Sequence, residues 1–139
     1  MDEAKATPQK TYRDLVVWQK AHAMVLKIFD ITEQFPAQHL VREMMRESSA
    51  STAANIVVSY RKKNRDEKLH YLTTALDALE ECRYYTILGL DLGLLHSDTA
   101  DMLQNAINEV GYLLSSYNKS IAKHHAELQR TSMAIAETD

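Results

Sequence analysis

The sequence predicts an all-α fold, an antiparallel up-down-up-down four-helix bundle. Three observations carry that prediction. Apolar residues recur with a period near 3.6 along most of the chain. Only three Gly and two Pro occur in 139 residues, which leaves little material for the tight hairpins of a many-stranded sheet. Helix-stopping stretches cut the periodic sequence into four segments of roughly 20 residues, each about 30 Å long as a helix. Short loops between such segments make consecutive helices antiparallel neighbours.

The first helix is expected from Tyr12 to Phe35. One stripe, Leu15, Trp18, His22, Val25, Phe29 and Thr32, lies beside a second, Val17, Ala21, Met24, Ile28 and Ile31. Together they make a broad apolar face, with Gln19, Lys20, Lys27, Asp30 and Gln34 opposite. "FPAQ" ends it, because Pro36 lacks a donor and restricts Phe35.

The second helix starts between Ala37 and Leu40 and carries Val41, Met44, Met45, Ser48, Thr52, Ile56 and Ser59 inward. Its middle, "SSASTAAN", is built from small residues that are mediocre helix formers. Close approach of a neighbouring helix is the simplest reason for them.

"KKNRDE" punctuates the chain before the third helix. Asn64 or Asp66 caps its start, and Asp66 and Glu67 suit the positive end of the helix dipole. Leu69, Leu72, Ala75, Leu76, Leu79, Cys82 and Leu88 form its buried stripe. "GLDLGLLHS" ends it, with Gly93 as the residue just past the C-cap.

The fourth helix opens at Ser97 or Asp98 and runs through Leu103, Ala106 or Ile107, Val110, Leu113, Leu114, Tyr117 and Ile121. The polar, weakly periodic residues from Lys123 on read as a frayed or disordered tail. The expected organisation is therefore a flexible segment 1–11, a bundle domain 12–122 and a tail 123–139.

Composition and motifs narrow the function. With 45% apolar and 25% charged residues the chain is an ordinary globular domain with material for one core. One cysteine, Cys82, excludes an internal disulfide framework and a multi-cysteine zinc site. "MDEAKATPQK" lacks the apolar stretch of a secretory signal, and no run approaches the ~20 apolar residues of a membrane span. A cytoplasmic protein without a membrane partner is expected.

Enzymatic chemistry finds no constellation here. One Glu-x-x-His occurs, Glu67 to His70, at the spacing of di-iron bundles. Such sites need a second copy of the motif and two further glutamates, and Glu67 in a first turn is accounted for by capping. Cys82 falls mid-stripe, as a buried small residue rather than a reactive thiol. His22 falls on a stripe too, while His96, His124 and His125 fall in a loop and the tail. Glu80 and Glu81 are adjacent, about 100° apart on a helix, and do not converge on one atom. Gly-rich phosphate loops and nucleophile elbows are missing. No catalytic residue, metal or cofactor is expected.

Charge is the informative feature. From Gln38 to Arg65 six basic residues face two acidic ones, whereas Asp66 to Ala122 holds three basic and nine acidic. The net charge of −3 hides this contrast. "YRKKNR", with Arg61, Lys62, Lys63 and Arg65, followed by Lys68, suits a polyanion contact. It equally suits a solvated helix end, the commoner use of a charge run. The seven tyrosines raise a second question, since Tyr60, Tyr71, Tyr84, Tyr85, Tyr112 and Tyr117 crowd the last three helices. Exposed tyrosines serve protein interfaces or stack on unpaired bases. Self-association is the more economical use, with Tyr60, Tyr71, Tyr84 and Tyr85 as candidate interface residues.

"YRDLVVWQKA", "SASTAANIVVSYRK", "YLTTALDALEE" and "LDLGLL" together resemble the bacterial four-helix bundle proteins encoded by intervening sequences in large-subunit ribosomal RNA genes. That family is related to the accessory variability proteins of diversity-generating retroelements. The resemblance spans about Tyr12 to Ile121, and "RDLVVWQKA" is its most specific piece. The family pattern at the end of helix two is similar to Ser-x-x-Ser-Asn-Ile-Ala-Glu-Gly. Ser51, Asn55 and Ile56 match it, and Arg46 matches an upstream basic position. Ala54, Val57, Val58 and Ser59 depart from it.

The resemblance implies a bundle without catalytic activity that assembles into a ring, commonly a homopentamer. For the retroelement accessory type it also implies a positively charged barrel that binds nucleic acid and a reverse transcriptase. The leading expectation is a non-enzymatic, oligomeric accessory protein that binds RNA or DNA. Arg61, Lys62, Lys63 and Arg65 would contact phosphates, with Lys68 and Arg46 as weaker candidates. The alternative is a protein-interaction scaffold without nucleic-acid binding.

Overall fold

The computed structural model describes residues 10–138, and within them the chain is helical without a strand. Four helices follow one another: α1 (Val16–Thr32), α2 (Leu40–Arg61), α3 (Arg65–Asp91) and α4 (Ser97–Thr138). Each packs on its sequence neighbour, and α1 closes the ring of four against α4. Residue pairs across α3 and α4 run in opposite order, Arg83 meeting Gln104 and Leu79 facing Gly111. The expected four-helix bundle is the observed fold.

The expected first helix is interrupted at its start. Tyr12–Asp14 is a single 3-10 turn, and Leu15, with ψ 123°, breaks it from α1. Thr11 and Asp14 close that turn reciprocally: the Thr11 hydroxyl accepts from Arg13 N, and Thr11 N donates to Asp14 Oδ2. At the other end α1 stops at Thr32, and Phe35 is buried beyond it just before Pro36.

All four helices feed one core. Met24 and Ile28 of α1, Met45 and Ile56 of α2, Leu72 and Leu79 of α3, and Leu103, Ile107 and Leu114 of α4 are all fully buried. Burial of each side chain of this size stabilises the fold by about 1.5–3 kcal/mol. The small-residue stretch of α2 faces α3, and the two share the broadest interface of the bundle. Buried Ser48 and Thr52 stay satisfied by donating to carbonyls one turn back, Met44 O and Ser48 O.

The loops follow the caps read from the sequence. Asn64 Oδ1 accepts from Asp66 N and Glu67 N at the start of α3. Gly93, at φ 76°, ends that helix, with Gly93 N donating to Leu90 O and Leu94 N to Gly89 O. That is a Schellman closure, and its left-handed residue favours glycine.

The segment from Lys123 departs from the expectation of a frayed tail, because α4 continues through Thr138. "KHHAELQRTSMAIAET" contains no Gly or Pro and is rich in Ala, Glu, Leu, Gln and Met, good helix formers without an apolar stripe. The described side chains from Lys123 to Ala134 are exposed. Of the segment expected to be flexible, residues 1–9 lie outside the described residues, while Lys10 is held as a hydrogen-bond acceptor by Tyr60.

Candidate functional site

Three residues, Lys62, Lys63 and Asn64, separate α2 from α3, so this turn is tight and its charges are forced together. A partly buried staple holds it. Ser59 Oγ donates to Lys68 O at 2.9 Å, and Lys68 Nζ returns to Ser59 O at 3.2 Å and Tyr60 O at 3.0 Å. A cation at those last carbonyls also complements the negative end of the α2 dipole. Partial burial lowers the Lys68 pKa from its ordinary value. Ser59, one of the departures from the family pattern, is thus a structural donor here.

The geometry sorts the expected phosphate contacts into three kinds. Arg61 and Lys63 are exposed and form no ion pair with any described residue. Lys62 folds back so that its Nζ lies 5.3 Å from the Tyr71 ring centroid, and Arg65 Nη1 meets Asp66 Oδ1 at 3.3 Å. Lys68 is committed to the helix end and contributes charge rather than a free donor fork. Five basic residues against Asp66 and Glu67 leave residues 61–68 at +3.

Arg46, a weaker candidate for phosphate contact, does not belong to this cluster. It stands at the other end of α2, about 22 Å away along the helix axis. Its Nε donates to Thr32 Oγ1 at 2.9 Å, and Nη2 donates to Phe29 O and Glu33 Oε2, both at 3.0 Å. Its guanidinium also lies 4.8 Å from the Phe29 ring centroid. Arg46 therefore closes the C-terminus of α1. Arg42, Lys20 and Arg83 are likewise paired with carboxylates, Glu33, Glu109 and Glu80. What distinguishes the α2–α3 turn is density, five basic side chains within the eight positions 61–68.

α4 supplies what the sequence reading missed. A groove of ≈ 530 Å³ separates the turn from α4, lined by Lys63, Arg65 and Lys68 on one wall and by Tyr117, Ile121, His124 and Leu128 on the other. The spacing of Tyr117, Ile121, His124 and Leu128 puts them on one helical face, a signal present in the sequence once the helix is allowed past Ala122. Burial, with the nearby Tyr60 phenol, raises the Tyr117 pKa.

The tyrosines divide as well. Tyr60 donates its hydroxyl to Lys10 O and Tyr71 sits under Lys62, so both are occupied within the chain. Tyr85 is half-buried against the core, edge-on to Tyr84 with centroids 5.6 Å apart. Tyr84 itself is 56% exposed, beside Ile87 at 45% on the outer face of α3.

Other chemistry is sparse. Cys82 is fully buried, and burial pushes its thiol up to about 11, against smaller opposing effects of Ser48 and Arg83. His22 lies at the rim of α1 rather than inside, its ring stacked on Trp18 at 4.8 Å. Among the described residues no group of three or more His, Cys, Asp or Glu could hold a metal ion, and no helix is long and apolar enough to cross a membrane.

The described residues form a four-helix bundle with a basic turn between α2 and α3. The family profile of the 23S rRNA-intervening sequence proteins matches residues 13–116, and the chain belongs to that family. A solved structure from Bacteroides thetaiotaomicron, described as a protein of unknown function from the S23 ribosomal protein family, shares the fold at a TM-score of 0.72. It is 20% identical, and the match covers 75% of this chain and 96% of that one. No functionally curated protein matches the chain.

Proposed function

We propose that this protein is a non-enzymatic, cytoplasmic accessory protein that binds nucleic acid, RNA in the first place, through the α2–α3 turn. The observation that carries the reading is the density of basic charge in that turn, five residues within the eight positions 61–68. Arg61 and Lys63 stand free among the described residues, while Arg42, Arg46, Arg83 and Lys20 are paired with carboxylates. Family membership supports it, since the family is named for a ribosomal RNA intervening sequence. Binding is to the backbone, with little sequence selectivity and a steep salt dependence. Homo-oligomers, with a pentameric ring as the form the resemblance implies, repeat the turn and raise its local charge density. A reverse transcriptase is the protein partner that the retroelement relationship suggests.

The test is binding of a labelled structured RNA at 50 and 200 mM salt, beside a variant with Arg61, Lys62, Lys63 and Arg65 changed to Glu. Scattering first establishes equal mass for the two proteins. Four phosphate contacts predict roughly 100-fold weaker binding at the higher salt, and loss of binding in the variant. Affinity that ignores salt, or survives the charge reversal, rejects the reading. If neither protein binds RNA and the assembly is intact, the scaffold alternative replaces it, with the turn docking an acidic protein partner.

A further inference from the structure

We propose that the groove between the α2–α3 turn and α4 seats one unpaired nucleotide, its phosphate on Lys63 and Arg65 and its base against the α4 wall. This rests on the nucleic-acid reading and sharpens it, by naming single-stranded rather than paired RNA as the preferred form. The argument is the asymmetry of the two walls. One side is cationic, with Lys63 exposed and Arg65 half-buried, its shielded Nε–H without an acceptor among the described residues. The other presents Tyr117, Ile121 and Leu128 on one face of α4, and Leu128 stands 56% exposed although apolar.

A purely electrostatic contact needs no apolar wall, and a hydrophobic ligand needs no arginine. A nucleotide needs both at the separation of its phosphate and base. The ≈ 530 Å³ volume lies within the range of about 300–1,000 Å³ typical of small-ligand sites. His124 lines the same wall and carries an imidazole able to hydrogen-bond. A duplex offers the same phosphates but keeps its bases stacked inside, so it leaves Ile121 and Leu128 uncovered. Because a duplex carries the higher charge density, backbone attraction alone favours it. Preference for a single strand therefore reports the apolar wall.

The experiment measures binding of the full-length protein to a labelled single-stranded RNA, to a duplex of the same length, and to adenosine monophosphate. Leu128→Asn removes the exposed apolar contact without changing charge, and Lys63→Glu removes a phosphate contact. Unchanged circular dichroism controls for folding. The single strand is expected to bind about 10-fold tighter than the duplex, and Leu128→Asn to erase that margin while leaving duplex affinity unchanged. A 2-aminopurine placed in the strand should change its emission on binding, and lose that change in Leu128→Asn.

Monophosphate binding that depends on both Leu128 and Lys63, without strand binding, would assign the seat to a free nucleotide and overturn the strand version. Equal affinity for strand and duplex, sensitive to Lys63→Glu and indifferent to Leu128→Asn, overturns the seat while the nucleic-acid reading stands. Absence of binding to all three probes rejects both.

Discussion

Arg46 and Arg61 carry the same charge on the same helix, and their surroundings give them opposite work. Arg46 meets the C-terminal end of α1, where it donates to Phe29 O and the Thr32 hydroxyl, and Glu33 completes the contact. Arg61 meets solvent. Arg46→Ala should therefore destabilise the fold by about 2 kcal/mol, since it strips several charge-assisted hydrogen bonds from a partly buried site. RNA affinity should stay within about twofold of the parent, as expected for a charge far from the contact. Thermal denaturation and anisotropy on one preparation check both. A stable variant with weakened binding would return Arg46 to the interface. Sequence reasoning grouped Arg46 with the turn because charge and helical position are legible in a sequence, whereas the partner carbonyl is not. Lys68 shows the same limit, since its role depends on where α2 ends relative to the fourth residue of α3.

At the scale of elements, the boundaries that rest on chemistry were readable. Pro36, Asn64 and Gly93 each mark a junction by a property of the residue itself: a missing donor, a side-chain acceptor and a left-handed backbone. The far end of α4 was not readable, because its apolar period fades after Ile121 while its helix propensity does not. A helix that starts inside a bundle needs no second nucleus and propagates outward. Removing residues 123–139 should accordingly shift the melting temperature by less than about 3 °C, because the described side chains it removes are exposed. Helical ellipticity should fall with the loss of those turns. The same truncation deletes Leu128 and should weaken single-stranded RNA binding. A melting temperature lowered by 10 °C or more would instead mean that the extension packs, most simply against a second copy.

Over the whole molecule, an acidic bundle carries its densest basic charge at one end, and self-association would decide how strongly that end acts. Of the four tyrosines expected at an interface, Tyr60 and Tyr71 are used within the chain, and Tyr85 is half-buried. Tyr84 remains, with Ile87 one turn on, as an apolar stretch on the outer face of α3. Exposed aromatic and aliphatic side chains in register are the material of a protein–protein seam. If that face joins subunits, Tyr84→Arg should dissociate the assembly, because a guanidinium replaces the aromatic contact and faces its own charge or an apolar surface across the seam. Sedimentation would read the parent as a multiple of the 15.9 kDa chain, near 80 kDa for five copies, and the variant as the single chain. Circular dichroism should be unchanged, since Tyr84 makes little contact with its own core. RNA affinity should fall by more than tenfold although the added charge is positive, because a ring presents several turns to one strand and a monomer presents one. A variant that keeps its mass would move the seam elsewhere, and a parent that is monomeric at tens of micromolar would reject the ring. A dissociated variant with full RNA affinity would show that one turn suffices, and that assembly serves another purpose than multiplying charge.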